Sequence, residues 1–253
     1  MPDMPSAEAA KSAPQRVPSR RERFRQATID EIKMYAREQM AAGGPASLSL
    51  RAVARDMNIT PSALYRYFSG IDDLITALCV DAYHAVGDAV GAAVGELPED
   101  DHVGRWRAYA NSFRGWALAN PSDFALIYGT PLPGYKAPPE ITQAAAFRYL
   151  SVALRTVASA VAAGAIDLER SLLTYTPDLD PDLVAHWDKL GLHLDPQVAA
   201  ITAGAQVTVQ GHLTLELFGH FNWLRNDIDH VWEGHLRAMM IAMGFDPQEL
   251  PAA

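Results

Sequence analysis

Apolar residues recur every three to four positions along most of this chain, and strict alternation is scarce, so helices are predicted nearly throughout. A first helix is expected from about Arg20 to Ala41, with Ile29, Ile32, Ala36 and Met40 on one face and Gly43-Gly44-Pro45 ending it. Leu50, Val53, Ala54 and Met57 then fall at i, i+3, i+4 and i+7, the buried stripe of a short second helix. Asn58 follows, a residue that tolerates the left-handed backbone needed to turn the chain. Ile59 is an apolar plug for that turn. Thr60 stands where it can cap a third helix, with Pro61 at the first position, where a missing N–H is no loss. Leu64 and Phe68, four apart, face inward. Ser62, Ala63, Tyr65, Arg66 and Tyr67 are left to the outer surface or its flanks.

Beyond this segment the helical period continues. Ser69 is expected to cap a long fourth helix from Gly70 to about Val94, with Asp72 and Asp73 in its first turn and Leu74, Leu78 and Ala82 facing inward. Leu97-Pro98 breaks it. A fifth helix is predicted from about Asp101 to Ala119, a sixth over Ser122 to Tyr128, and a seventh over about Glu140 to Ala163 after the Pro/Gly-rich loop from Thr130 to Pro139. Residues 164–194 are mixed, with short helical pieces around Leu168–Leu173 and Pro181–Leu190. Two final helices, about Pro196–Phe221 and Asp227–Met243, complete the chain. The fourth helix should link an N-terminal head to a C-terminal body.

Two short helices joined by a tight turn, the second with small polar, aromatic and basic groups outward, suit a duplex groove: base edges, thymine methyls and phosphates. The continuous stretch "LSLRAVARDMNITPSALYRYF", continued by "SGIDDLI", resembles the N-terminal signature of the tetracycline-repressor family of bacterial transcription regulators. The likeness covers roughly residues 20–80. A second, smaller likeness to a subgroup of that family lies in "YGTPLPGYKAPPEIT", Tyr128 to Thr142. The resemblance implies an all-helical homodimer with a variable C-terminal domain that binds a small effector. Two departures stand out: Asn58 sits where the family often has Gly, and Ser69-Gly70-Ile71 lacks the phosphate-binding Lys that commonly follows the Phe. DNA contacts are therefore expected from Ser49 and Arg51 (phosphate or base edge), Thr60 (backbone anchoring), Ser62, Ala63 and Tyr65 (bases) and Tyr67 (phosphate), with Pro61 and Arg66 also on the DNA-binding surface.

The formal charge of −9 over 253 residues is unusual for a DNA binder until it is divided along the chain. Residues 1–70 carry 11 Lys and Arg against 7 Asp and Glu, while the remainder carries 10 against 23. The basic charge sits at the head, and an acidic body favours docking by the head alone. Residues 1–19, rich in Pro, Ala and Ser, read as a disordered tail. Lys11, Arg16, Arg20, Arg21, Arg23 and Arg25 can be a basic arm on DNA or a solvated tail with a helix start. The lone Cys79 forms no internal disulfide and suits a reducing cytoplasm, where it reads as a small core residue rather than a redox sensor. No run of 18 apolar residues predicts a membrane span, and the N-terminal stretch lacks the apolar core expected of a signal peptide.

The last two helices offer stripes for an oligomer interface: Ile201, Ala205, Thr208, His212, Leu215 and Gly219 on one, Val231, His235, Ala238 and Ala242 on the other. A two-fold axis would pair them into a four-helix bundle, and two heads about 34–36 Å apart would read successive major grooves of a palindromic operator. The alternative is that these stripes are protomer core. An effector pocket is expected from Trp106, Tyr109, Phe113, Trp116, Phe124, Tyr128 and Tyr149 with His84, although aromatic residues at helical spacing also simply fill cores.

The competing reading is a helical-bundle enzyme or a metal protein using the C-terminal histidines. His212, Glu216 and His220 lie at i, i+4 and i+8, but about 12 Å along a helix axis keeps the outer two from sharing one ion. HExxH, GxSxG, P-loop and GxGxxG elements are absent, and Asp178, Asp180 and Asp182 lack the glycine and closing glutamate of a calcium loop. The expected protein is thus all-α, with residues 1–19 as a tail, 20–69 as a three-helix DNA-binding head with a helix-turn-helix, and 70–253 as an effector-binding and dimerisation body. It is expected to be a cytoplasmic, non-enzymatic transcription regulator, a repressor released by a small apolar or aromatic effector. It should use no cofactor, metal or membrane.

Overall fold

A capping box starts the first helix, α1 (Arg20–Gly43): Glu22 N–H donates to Ser19 Oγ at 3.2 Å, and Ser19 N–H donates back to the Glu22 carboxylate at 2.6 Å. The computed structural model describes residues 19–173, 175–189, 191, 195–224 and 227–252. The tail expected over residues 1–19 lies, Ser19 apart, outside the described residues. The helices that follow are α2 (Leu50–Asp56), α3 (Pro61–Leu64), α4 (Ile71–Gly95), α5 (His102–Ala119), α6 (Pro121–Tyr128), α7 (Pro139–Ala162), α8 (Pro181–Lys189), α9 (Pro196–Leu217) and α10 (Ile228–Met243). Among the described residues there is no strand, only one antiparallel bridge between Ile166 and Phe245. That bridge crosses Gly244, whose φ of 106° and closeness to the Asp167 carbonyl leave no room for a side chain.

Two buried clusters organise the chain. The head is built on Ile32, Ala36 and Met40 of α1, Leu50, Val53 and Ala54 of α2, Leu64, Phe68, and Leu74 and Leu78 of α4. The body is built on the rest of α4 with α5, α6, α7, α9 and α10. The head core therefore runs past residue 69 into the first turns of α4. Leu74, Leu78, Ala82, Val86, Val90 and Val94 are all buried, a ladder of four-residue steps. Four residues overshoot one helical turn by about 40°, so this ladder winds roughly 200° around the helix over its length. One rigid helix thus faces the head with its beginning and the body with its remainder.

By length and composition alone α4 is long and apolar enough to cross a membrane, although charged residues interrupt its apolar run. Its apolarity has a local use: ten of its residues are buried, among them Leu74 and Leu78 in the head core and Ala82, Val86, Val90 and Val94 in the body core.

Several local expectations are corrected. Thr60 holds the N-cap position of α3, but its hydroxyl pairs with Ser62 Oγ at 3.0 Å instead of a backbone N–H. The N-cap of α4 is Gly70, and Asp73 reaches back to accept from Ser69 N–H at 3.0 Å. The piece at Leu168–Leu173 is turns, and α9 ends at Leu217, not Phe221.

Candidate nucleic-acid interface and ligand cavity

The turn between α2 and α3 has the backbone its residues dictate. Asn58 takes a φ of 55°, and Ile59 N–H bonds to the Ala54 carbonyl at 2.9 Å, folding the chain back onto α2. The α-helix after the turn is only Pro61–Leu64, but Tyr65, Tyr67 and Phe68 continue it through backbone bonds to Pro61 and Leu64. Leu64 and Phe68 are sealed into the head core. Pro61, Ser62, Tyr65 and Arg66 are exposed together on the outer side, with Ala63 and Tyr67 half-buried on its flanks. Arg51 is exposed at the start of α2, while Ser49 is half-buried with its N–H bonded to Gln39 Oε1 at 3.3 Å. This geometry presents one apolar seam inward and one polar, aromatic and cationic face outward.

The aromatic residues of the body are brought together, but as filled core. Trp106, Tyr109, Phe113 and Phe124 are fully buried, and Trp116 and Tyr149 nearly so. Phe113 is the hub, with ring centroids 5.7 Å from Tyr149, 5.9 Å from Tyr128 and 6.3 Å from Trp116. Tyr109 donates to Gln206 Oε1 at 2.7 Å and Gln210 donates to the Tyr149 hydroxyl at 3.1 Å. Burial pushes Tyr149 up to about 12 and Tyr109 and Tyr128 well above the usual phenol range, so the cluster is neutral. His84 is not with them; it is exposed on the other side of α4.

The open space lies beside this core. A cavity of about 260 Å³ is lined by Cys79 and Tyr83 of α4, Leu126 and Ile127 of α6, Gly129, Pro131, Leu132, Tyr135 and Ala137 of the connecting loop, and Thr142 of α7. Tyr83 stands edge-on to Tyr128 at 6.3 Å and joins the cavity to the aromatic core. The Tyr135 hydroxyl lies 3.0 Å from Thr76 Oγ1, pinning the loop to α4. No charged side chain lines the space, and burial pushes the Cys79 thiol up to about 11, so it too is neutral. None of the eight aromatic and histidine positions singled out by spacing lines it. The available signal was the loop itself: the Tyr128–Thr142 likeness and its Pro/Gly composition marked the segment that roofs the cavity.

On α9 and α10 the predicted interface stripe divides. Ile201, Ala205 and His212 are buried in the protomer's own core, so they have no surface to offer a partner. Thr208, Gly219, Val231 and Ala242 are half-buried, and Leu215, His235 and Ala238 are exposed. The outward apolar stripe of α9 is instead Ala203, Val207, Gly211, Leu215 and Phe218, followed by an exposed Trp223. Because α9 is apolar on every side, periodicity alone did not select which face turns inward.

The histidines do not converge on an ion. His212 Nδ1 lies 3.0 Å from His235 Nδ1, while Glu216 accepts from Arg114 at 2.9 and 2.6 Å and His220 is exposed. Burial, helped by the positive Arg114 and by His235, lowers His212 to about 4 against the pull of Glu216. Among the described residues, no group of three or more His, Cys, Asp or Glu is arranged to hold a metal.

Residues 35–78 match the family described as bacterial regulatory proteins, tetR family, and residues 106–239 match the family described as tetracyclin repressor-like, C-terminal domain. The chain is 35% identical over 191 residues to the HTH-type transcriptional regulator Rv1816 of Mycobacterium tuberculosis, covering 76% of this chain and 81% of that protein. The HTH-type transcriptional regulator Mb1846 of Mycobacterium bovis matches to the same extent. Among solved structures, that of SCO4313 is 32% identical with a TM-score of 0.68, covering 88% of this chain and 99% of that one.

Proposed function

The chain belongs to the tetracycline-repressor family of transcription regulators, and from that premise we propose that it is a cytoplasmic homodimeric repressor released by a small uncharged effector. The carrying observation is the outer side of the recognition turn. Ser62, Tyr65 and Arg66 stand clear of the protein while Leu64 and Phe68 hold the turn from within. Ser62, Ala63 and Tyr65 then read base edges, and Ser49, Arg51, Thr60 and Tyr67 set the register on the backbone. Two such heads, related by a two-fold axis through the outward face of α9 and α10, engage a palindromic operator.

The effector, apolar or aromatic with one or two hydrogen-bonding groups, fits the cavity under the 129–137 loop better than the closed aromatic core. Cys79 and Tyr83 on its wall belong to α4, which also carries Leu74 and Leu78 of the head core. A ligand there acts on the helix that aims the head. It shifts the head geometry only by as much as it prefers one arrangement over the other. The deciding experiment is selection of bound fragments from the source genome, followed by footprinting. A palindromic site with half-sites about one helical turn apart is expected. Purified protein that retains no genomic fragment overturns the reading.

A further inference from the structure

The end of the recognition turn opens onto a cleft of about 430 Å³, walled by Arg21, Phe24, Arg25 and Thr28 of α1 and by Arg66 and Tyr67 beyond α3. Arg21, Arg25 and Arg66 all line it, and among the described residues no ion pair joins any of them to a carboxylate. Like charges gathered in one place repel unless an anion joins them. Arg25 is the fixed member. Its Nη1 donates to the Arg66 carbonyl at 3.4 Å, and its guanidinium lies 5.5 Å over the Tyr67 ring. A planar fork held by stacking is pre-organised for two-pronged recognition of phosphate.

Sequence position says which phosphodiester. Past Phe68 the chain reads Ser69-Gly70-Ile71-Asp72-Asp73, with no cation and two carboxylates. On that side of the recognition turn, among the described residues, this cleft offers positive charge to a neighbouring strand. Resting on the regulator reading, we infer that Arg21, Arg25 and Arg66 form a pre-assembled clamp for one backbone phosphate of the operator, seated as the turn enters the groove. The clamp joins α1 to the end of α3 across the bound strand, so it also holds the two helices at one spacing. It recognises charge and not sequence.

The test is the salt dependence of duplex binding by the full-length protein. Arg25→Gln should weaken operator and unrelated duplex by a similar factor and make the slope of log K against log salt shallower by about 0.9 for each protomer engaged. Arg25→Lys, which keeps the charge, should retain the slope. Arg148→Gln, a charge-matched change on α7, should leave it as in wild type. An unchanged slope in Arg25→Gln overturns the clamp and leaves the regulator reading intact; wild-type protein that holds no duplex at all overturns both. Calorimetry with inorganic pyrophosphate and DNA-free protein separates the other source of the same chemistry. Saturable binding abolished by Arg25→Gln, with the duplex slope unmoved, overturns the clamp in favour of a free phosphate-bearing ligand.

Discussion

The Arg37 guanidinium Nε lies 3.1 Å from both carboxylate oxygens of Asp123, tying the first helix of the head to α6 of the body. Asp123 is 7% exposed, whereas Arg37 retains about a third of its side-chain surface. Burial pushes the Asp123 carboxyl up, and neighbouring Asp81 adds to this; Arg37 pulls it down without fully cancelling the rise. Lys33 at 2.8 Å from Asp81 forms a second tie between α1 and α4. The head is therefore fastened to two of the helices that flank the cavity, α4 and α6, and not only to the chain that follows it.

This pair yields a prediction with a pH signature. Arg37→Ala strands a buried carboxylate and should cost roughly 2 kcal/mol at neutral pH, less than a fully buried pair because Arg37 is partly solvated. A folded carboxyl held above its unfolded value favours the folded state as pH falls. Without Arg37 that rise is unopposed, so the deficit relative to wild type should shrink between pH 7.5 and 5. Asp123→Asn, which removes the buried charge but keeps its shape, should stay within about 1 kcal/mol of wild type. Urea midpoints at the two pH values decide it; a deficit that grows on acidification contradicts the assignment.

His212 predicts the opposite sign for its own contribution. It is buried and lowered to about 4, so folding holds it neutral. Its contribution is complete above the unfolded value near 6.5 and is lost as pH falls from there toward 4, up to about 3 kcal/mol in all. His212→Asn should remove that portion of the wild-type acid sensitivity. Denaturation midpoints measured in half-unit steps across this window, parallel in the two proteins, would contradict it.

Tyr65 is half exposed and is not part of the head core. Tyr65→Ala should therefore leave thermal stability within about 0.5 kcal/mol while removing preference for operator over unrelated DNA. Retained preference in a competition shift assay moves base reading to other residues.

Val207 and Ile201 lie on the same helix, 70% and 1% exposed. Val207→Asp should produce folded monomers in sedimentation velocity, because it charges the outward stripe of α9. Ile201→Asp should lose more than 3 kcal/mol and unfold, because it puts a charge in the protomer core. A dimeric Val207→Asp protein places the interface on another face.

Short-range chemistry is what can be read directly along the chain. The helix-turn-helix was legible because each of its parts is local: a stripe at i, i+3, i+4 and i+7, an Asn able to adopt φ 55°, and a Pro at the first turn of the next helix. The long helices followed from the same period, with ends misplaced by a residue or a few. Tertiary structure alone decided the rest. On α9, apolar on all sides, only packing against α5, α7 and α10 turned Ile201 and Ala205 inward and Val207 outward. Aromatic spacing marked a cluster but not whether it closes, and the rings of Phe113, Phe124, Tyr128 and Tyr149 filled their own space. Arg25 meets Arg66 across 41 residues of chain, a convergence that no period along the sequence encodes. Contacts between neighbours in sequence follow from bond geometry, whereas those between distant segments depend on which surfaces exclude water best once all the helices compete for one core.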